Sequence, residues 1–213
     1  GVNNVCYGTF NLSGAGNLAL GTAELAVGRN DAASTDCTVT FNQTGGTAAV
    51  GNLSVGGQSG SINTIATFSL TGGTFAATTF QNLVAAASSS ATVTLGGTAQ
   101  VTLPAFPVPA GTANLTFDFT TGSLAPQAAS AAYMRGLTAA YLTTNGANFN
   151  VASGKNITIG QSFADASGAA GTLRKTGVGT LTLTNVNTYT GATVVSNGTL
   201  LVNGALSSPV TVI

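Results

Sequence analysis

The sequence predicts an all-β protein, a right-handed parallel β-solenoid (β-helix) of about eight or nine irregular coils with one short helical insertion near residues 126–142. Three observations carry this. Short runs alternate apolar and polar residues with period two, as a strand with one buried face requires. Glycine- or asparagine-rich turns separate these runs. A strand motif also returns at a period between about 20 and 50 residues, which means an array before it means anything else.

The alternation is clearest in residues 171–206. Thr180-Leu181-Thr182-Leu183-Thr184 places Leu on one side and Thr on the other. Asn185 to Gly191 is turn chemistry, Thr193-Val194-Val195 starts a second strand, and Thr199 to Val202 makes a third between Asn197-Gly198 and Asn203-Gly204.

Upstream, a small residue followed by Thr, an apolar residue, any residue and then Leu or Phe recurs. It starts at Gly8, Cys37, Ala66 and Ala91, with separations of 29, 29 and 25 residues. Phe10 to Gly14, Phe41 to Gly46 and Phe68 to Gly73 are three versions of a strand with its turn. Asn17 to Gly21 and Asn52 to Gly56 read as two versions of the strand that follows. Gly28 to Asp36 and Ala85 to Ser90 read as corner loops, and Pro104, Pro107 and Pro109 as an extended corner, since proline cannot donate to a central ladder. Thr116 to Thr120 resumes strand. Pro126 to Leu142 is rich in good helix formers, with Tyr133, Leu137 and Tyr141 at i, i+4 and i+8, and predicts a helix covering the solenoid flank. Strands return from Asn148 and run to Val210 through Ile213. The chain then reads as one domain over 1–213: irregular coils over 1–125, a helical insertion over 126–146 and repeat coils over 147–213.

Lys175-Thr176-Gly177, Gly179-Thr180-Leu181, Leu183, Asn187-Thr188-Tyr189-Thr190-Gly191, Thr193 and Gly198-Thr199-Leu200 resemble the repeat of autotransporter passenger domains, K-T-G-x-G-T-L-x-L … N-T-Y-x-G-x-T … G-T-L. The likeness covers roughly residues 147–206. Asn185-Val186 and Ala192 depart from the small residues or glycines usual in the family. The resemblance implies a β-helical protein that is extracellular, at the bacterial cell surface, and it implies no catalytic residue.

Composition narrows the function classes. Only 5% of residues are charged, there is no His, and the formal net charge is zero. Such an uncharged polar surface repels its own copies weakly. Five basic residues, of which only Arg174 and Lys175 are adjacent, make no stripe for nucleic acid. No run of 18 apolar residues provides a membrane span within the chain. Without His the usual triads and zinc sites have no basis, and no cofactor or metal is expected. The acids are Glu24, Asp31, Asp36, Asp118 and Asp165, and only Asp31 and Asp36 are close in sequence, so the protein reads as no enzyme. The absence of an initiator Met at Gly1 suggests a removed signal peptide or a fragment.

Cys6 and Cys37 fall near equivalent places one coil apart, where a disulfide could bridge coils; two small buried hydrophobes is the alternative. Strand pattern begins close to Val5 and Tyr7 and ends with Val210, Val212 and Ile213, with no evident cap. End-to-end strand addition between copies at these strands would give a head-to-tail homopolymer, a surface filament or fibre. The alternative is a passenger stalk or adhesin that binds host or matrix glycans. A third reading, ice or crystal-face binding, rests on the Thr-x-Thr pairs at Thr38/Thr40, Thr92/Thr94 and Thr180/Thr182/Thr184, whose spacing is uneven.

Overall fold

A computed structural model describes residues 6–28, 37–56, 64–82, 88–106 and 114–213. Every strand pairing among the described residues is parallel, and no helix occurs among them. The chain is a β-solenoid in which each pass lies on the one before.

The first strands are β1 (Cys6–Leu12), β2 (Asn17–Ala19) and β3 (Glu24–Val27). All three lie on one long strand, β4 (Cys37–Val55), which lies on another, β5 (Thr64–Asn82), of equal length. β6 (Ser90–Leu95) and β7 (Gln100–Leu103) then split the path, followed by β8 (Asn114–Phe119), β9 (Ser123–Pro126) and β10 (Ser130–Met134). The remaining passes are β11 (Ala139–Leu142), β12 (Ala147–Asn150) and β13 (Ile157–Ile159), then β14 (Ala164–Asp165), β15 (Leu173–Thr176) and β16 (Thr180–Leu183). β17 (Val186–Asn187), β18 (Thr193–Val195), β19 (Thr199–Val202), β20 (Ala205–Leu206) and β21 (Val210–Val212) complete them.

Period-two alternation decides which residues face inward. In β6 and β8 the burial strictly alternates, with Ala91, Val93, Leu95, Leu115, Phe117 and Phe119 inside. Identical positions stack from pass to pass. Phe10 lies over Phe41 at 5.3 Å between ring centroids, and Phe41 over Phe68 at 5.0 Å. Phe119, Phe149 and Phe163 continue the aromatic column toward the C-terminal half. Outward positions stack in the same way, so Thr9, Thr40, Thr67, Thr92 and Thr116 form one hydroxyl column.

Four expectations are corrected. The helix over 126–142 does not form: Pro126 ends β9, and the rest of the stretch holds β10 and β11. The earlier pass offers backbone partners that outweigh helix propensity, with Phe106 donating to the Tyr133 carbonyl at 2.6 Å and Thr138 to that of Leu115 at 3.0 Å. Gly136 at φ 71° turns the chain between the two strands. The count of eight or nine coils gives way to about five turns built of separate short strands, from β8 onward, because β4 and β5 run unbroken through their corners. Third, the register of the first repeats differs by two residues: Thr9 pairs Thr40 and Phe41 pairs Phe68, whereas the motif starts had aligned Thr9 with Thr38. A slip of two leaves every side chain on its proper face, so period alone could not detect it. Fourth, Asn17 pairs Thr47 while Asn52 pairs Glu24, so those two segments are not equivalent. Residues 29–36 and 85–87, Pro107, Pro109 and Val5 lie outside the described residues.

Candidate functional site

The polar residues of the 171–206 stretch turn inward and hold the corners. Lys175 falls in phase with Leu173 and is fully buried. Its ammonium donates to the carbonyls of Thr176 at 2.7 Å, Gly177 at 2.6 Å and, one turn later, Asn197 at 3.1 Å. A buried ammonium needs such acceptors, and its burial pulls its pKa below the ordinary lysine value. Gly177 and Gly198 have φ of 72° and 74°, and a Cβ on Gly198 would stand 2.9 Å from the Lys175 Nζ. The Lys-Thr-Gly triplet is therefore a clasp between two successive turns.

Asn187 does similar work at another corner. Its Oδ1 accepts the Phe163 N–H at 2.9 Å and its Nδ2 donates to the Asn185 carbonyl at 2.9 Å. Gln161 holds the preceding turn in the same way, accepting the Leu137 N–H at 2.9 Å. Tyr189, also buried, shares a hydrogen bond of 2.6 Å with Thr193, whose hydroxyl reaches Ser208 at 2.6 Å. Burial pushes the Tyr189 phenol up despite these contacts.

A different chemistry appears on the outer face of β8, β11 and β14. There a groove of about 620 Å³ is lined by Thr116, Asp118, Thr120, Tyr141, Thr143, Asp165, Ala166 and Ser167. Asp118 pairs in register with Tyr141, and Tyr141 with Ala164 on its other side. Asp118 is half-buried, and desolvation raises its pKa above 3.8. Asp165 is tied down instead. Its Oδ1 accepts the N–H groups of Gly171 at 2.6 Å and Thr190 at 3.0 Å, and its Oδ2 the Thr190 hydroxyl at 2.8 Å. Desolvation pulls its carboxyl up, but these three bonds outweigh it and hold the pKa below 3.8.

The structure places the sequence-derived candidates as follows. Cys6 and Cys37 are register partners on β1 and β4, and Cys37 is fully buried. Tyr7 on β1 is 76% exposed, and Val210, Val212 and Ile213 are exposed at the opposite end. Of the five acids, Asp31 and Asp36 lie outside the described residues, while Glu24 bonds Asn52 at 3.4 Å and Ser54. Asp118 and Asp165 come together in the groove. Among the described residues no three His, Cys, Asp or Glu side chains cluster as metal ligands. Sequence reasoning missed Lys175 as an inward residue, although its phase with Leu173 and Leu181 was the available signal. It also missed the groove, because Asp118, Tyr141 and Asp165 are neighbours only after the turns are stacked.

Residues 173–202 match the family described as passenger-associated-transport-repeat. The matched segment spans Lys175, Asn187, Tyr189 and Thr193, the side chains that clasp successive turns. No curated protein and no solved structure matches the chain.

Proposed function

We propose that this chain is a passenger-type, non-catalytic scaffold displayed extracellularly at a bacterial cell surface, a rigid stalk whose flat outer faces are what it presents. The observation that supports this reading is the passenger-repeat segment built into the solenoid with its polar residues spent on corner clasps. A motif whose Lys, Asn and Tyr are all buried stiffens a rod and does no surface chemistry of its own. Protease shaving of intact cells producing the natural protein tests it. Cleavage of this region on intact cells is expected; protection until lysis overturns the reading.

A second reading, assembly into a filament, draws on the β19–β21 end. Leu201, Val210, Val212 and Ile213 are 46, 52, 76 and 70% exposed there, an apolar seat for a further pass from this chain or a second copy. Electron microscopy of the purified chain should then show filaments that Val212→Lys abolishes. Uniform short rods at all concentrations would remove this reading.

The Cys6–Cys37 bond belongs with either. In-register parallel strands stand roughly 4.8 Å apart, inside the range of about 4.4–6.8 Å that a disulfide spans between Cα atoms. Alkylation with and without reductant, read by mass, distinguishes the bond from two thiols.

A further inference from the structure

We propose that the groove over β8, β11 and β14 is a binding site for an uncharged glycan, with Tyr141 as the stacking platform for a pyranose ring and Asp118 as the acceptor for its hydroxyls. The proposal builds on the surface-display reading above and gives the displayed face a ligand class and a location.

The described outward face is mainly Thr, Ser and Asn, and an aromatic ring in its middle is out of pattern. Tyr141 is 39% exposed, whereas the other phenols outside β1, Tyr133 and Tyr189, are fully buried. A half-exposed tyrosine offers an apolar ring with a polar tip, which suits the apolar face and hydroxyl rim of a sugar. Ala164, its register partner on β14, is too short to cover the ring, and Ala166 continues the depression. On the other side Asp118 accepts no hydrogen bond from the described residues, although it is half-buried. A carboxylate kept partly dry and unpaired is an acceptor waiting for donors, and adjacent sugar hydroxyls supply two. Thr116 and Thr143 add hydroxyl oxygens along the rim.

Charge selects among ligands. Two carboxylates and no Lys or Arg line the groove, which disfavours sulfated or sialylated glycans, phosphates and nucleic acid. A divalent cation is poorly served, because both Asp165 oxygens already accept protein donors and only Asp118 is left. The volume of about 620 Å³ lies within the range of about 300–1,000 Å³ typical of small-ligand sites.

The test is titration calorimetry of the full chain with maltotriose, cellotriose, mannotriose and chitotriose, against 3′-sialyllactose and a heparin tetrasaccharide, with and without EDTA. At least one neutral trisaccharide should bind, EDTA should not matter, and the two anionic sugars should bind at least tenfold more weakly. Tyr141→Ala should weaken the bound trisaccharide at least tenfold and Asp118→Asn severalfold, with circular dichroism and Tm close to the parent in both. Tyr7→Ala, remote from the groove, should leave binding unchanged. Absence of binding by all four neutral sugars, preference for the heparin fragment, loss on EDTA, or indifference to Tyr141→Ala would each overturn the proposal. A chain that is shaved from intact cells yet binds no sugar sinks only the glycan site. A chain that binds sugar but is protected on intact cells sinks only the display reading.

Discussion

The two halves of the solenoid hold their passes together by different means. From β1 to β7 the inward columns are apolar, with Phe10, Phe41, Phe68 and Phe75 in ring contact, and two strands of 19 residues run through their own corners. From β14 to β21 the strands are two to four residues long, and buried polar side chains close the corners. The passes also tighten: Ala147 pairs Leu173, Leu173 pairs Thr193, and Thr193 pairs Val210, separations of 26, 20 and 17 residues. A short pass has few apolar side chains to bury, so its geometry is fixed by directional hydrogen bonds. A long pass has apolar area in excess and tolerates uneven corners.

Removing one support from each half should show which matters where. Phe68→Ala takes away a fully buried ring and should cost about 4 kcal/mol. Hydrogen exchange should locate the loss in β4–β6 and leave β15–β19 protected. Lys175→Met keeps the length of the side chain but strands three carbonyls, and should cost about 3 kcal/mol with the opposite exchange pattern. If both substitutions loosen the whole rod equally, the two halves are one cooperative unit and the contrast fails. Asn187→Ala, which orphans the Phe163 N–H, should cost about 2 kcal/mol, measured by denaturant melts.

The smallest effects come from the two carboxylates that share the groove, and they differ in sign. Asp165 is held below 3.8, so its contribution is present above that pH and disappears as pH falls through its lower folded value. Asp118 is raised, so folding is favoured as pH falls through its folded value and is opposed by its charge at neutral pH. Asp165→Asn should lower Tm at pH 7 and converge with the parent in acid. Asp118→Asn should raise Tm slightly at pH 7 and lose that advantage in acid. Thermal melts between pH 2.5 and 7 read both.

The strands of this fold were legible because burial imposes period two, and Thr180 to Leu183 shows it without interruption. The turns were legible where glycine marks them, as at Gly177 and Gly198. Pairing partners were not. The Phe10, Phe41 and Phe68 rhyme had the right spacing, but the Thr-apolar motif competed with it and slipped by two residues. The stretch around Tyr133 and Tyr141 satisfied helical spacing by coincidence, since only a stacked neighbour reveals the backbone partners that keep it extended. The passenger-repeat resemblance was legible from its residues, and the match over 173–202 bears it out. The groove could not be read, because uneven passes decide which outward side chain meets which. The threonine column was hidden for the same reason: its members lie 31, 27, 25 and 24 residues apart, the differences being absorbed at corners.

The near-constant reach of each pass to the one before has a consequence for how the chain acquires its structure. Every contact that seats a new turn closes a loop of about 20 to 30 residues, so no late step requires a search across the whole chain. The molecule should grow like a zipper, each completed turn being the template for the next, with the first closed pair as the slow event. Once seeded at one place, assembly needs only chain delivered in order at a growing edge.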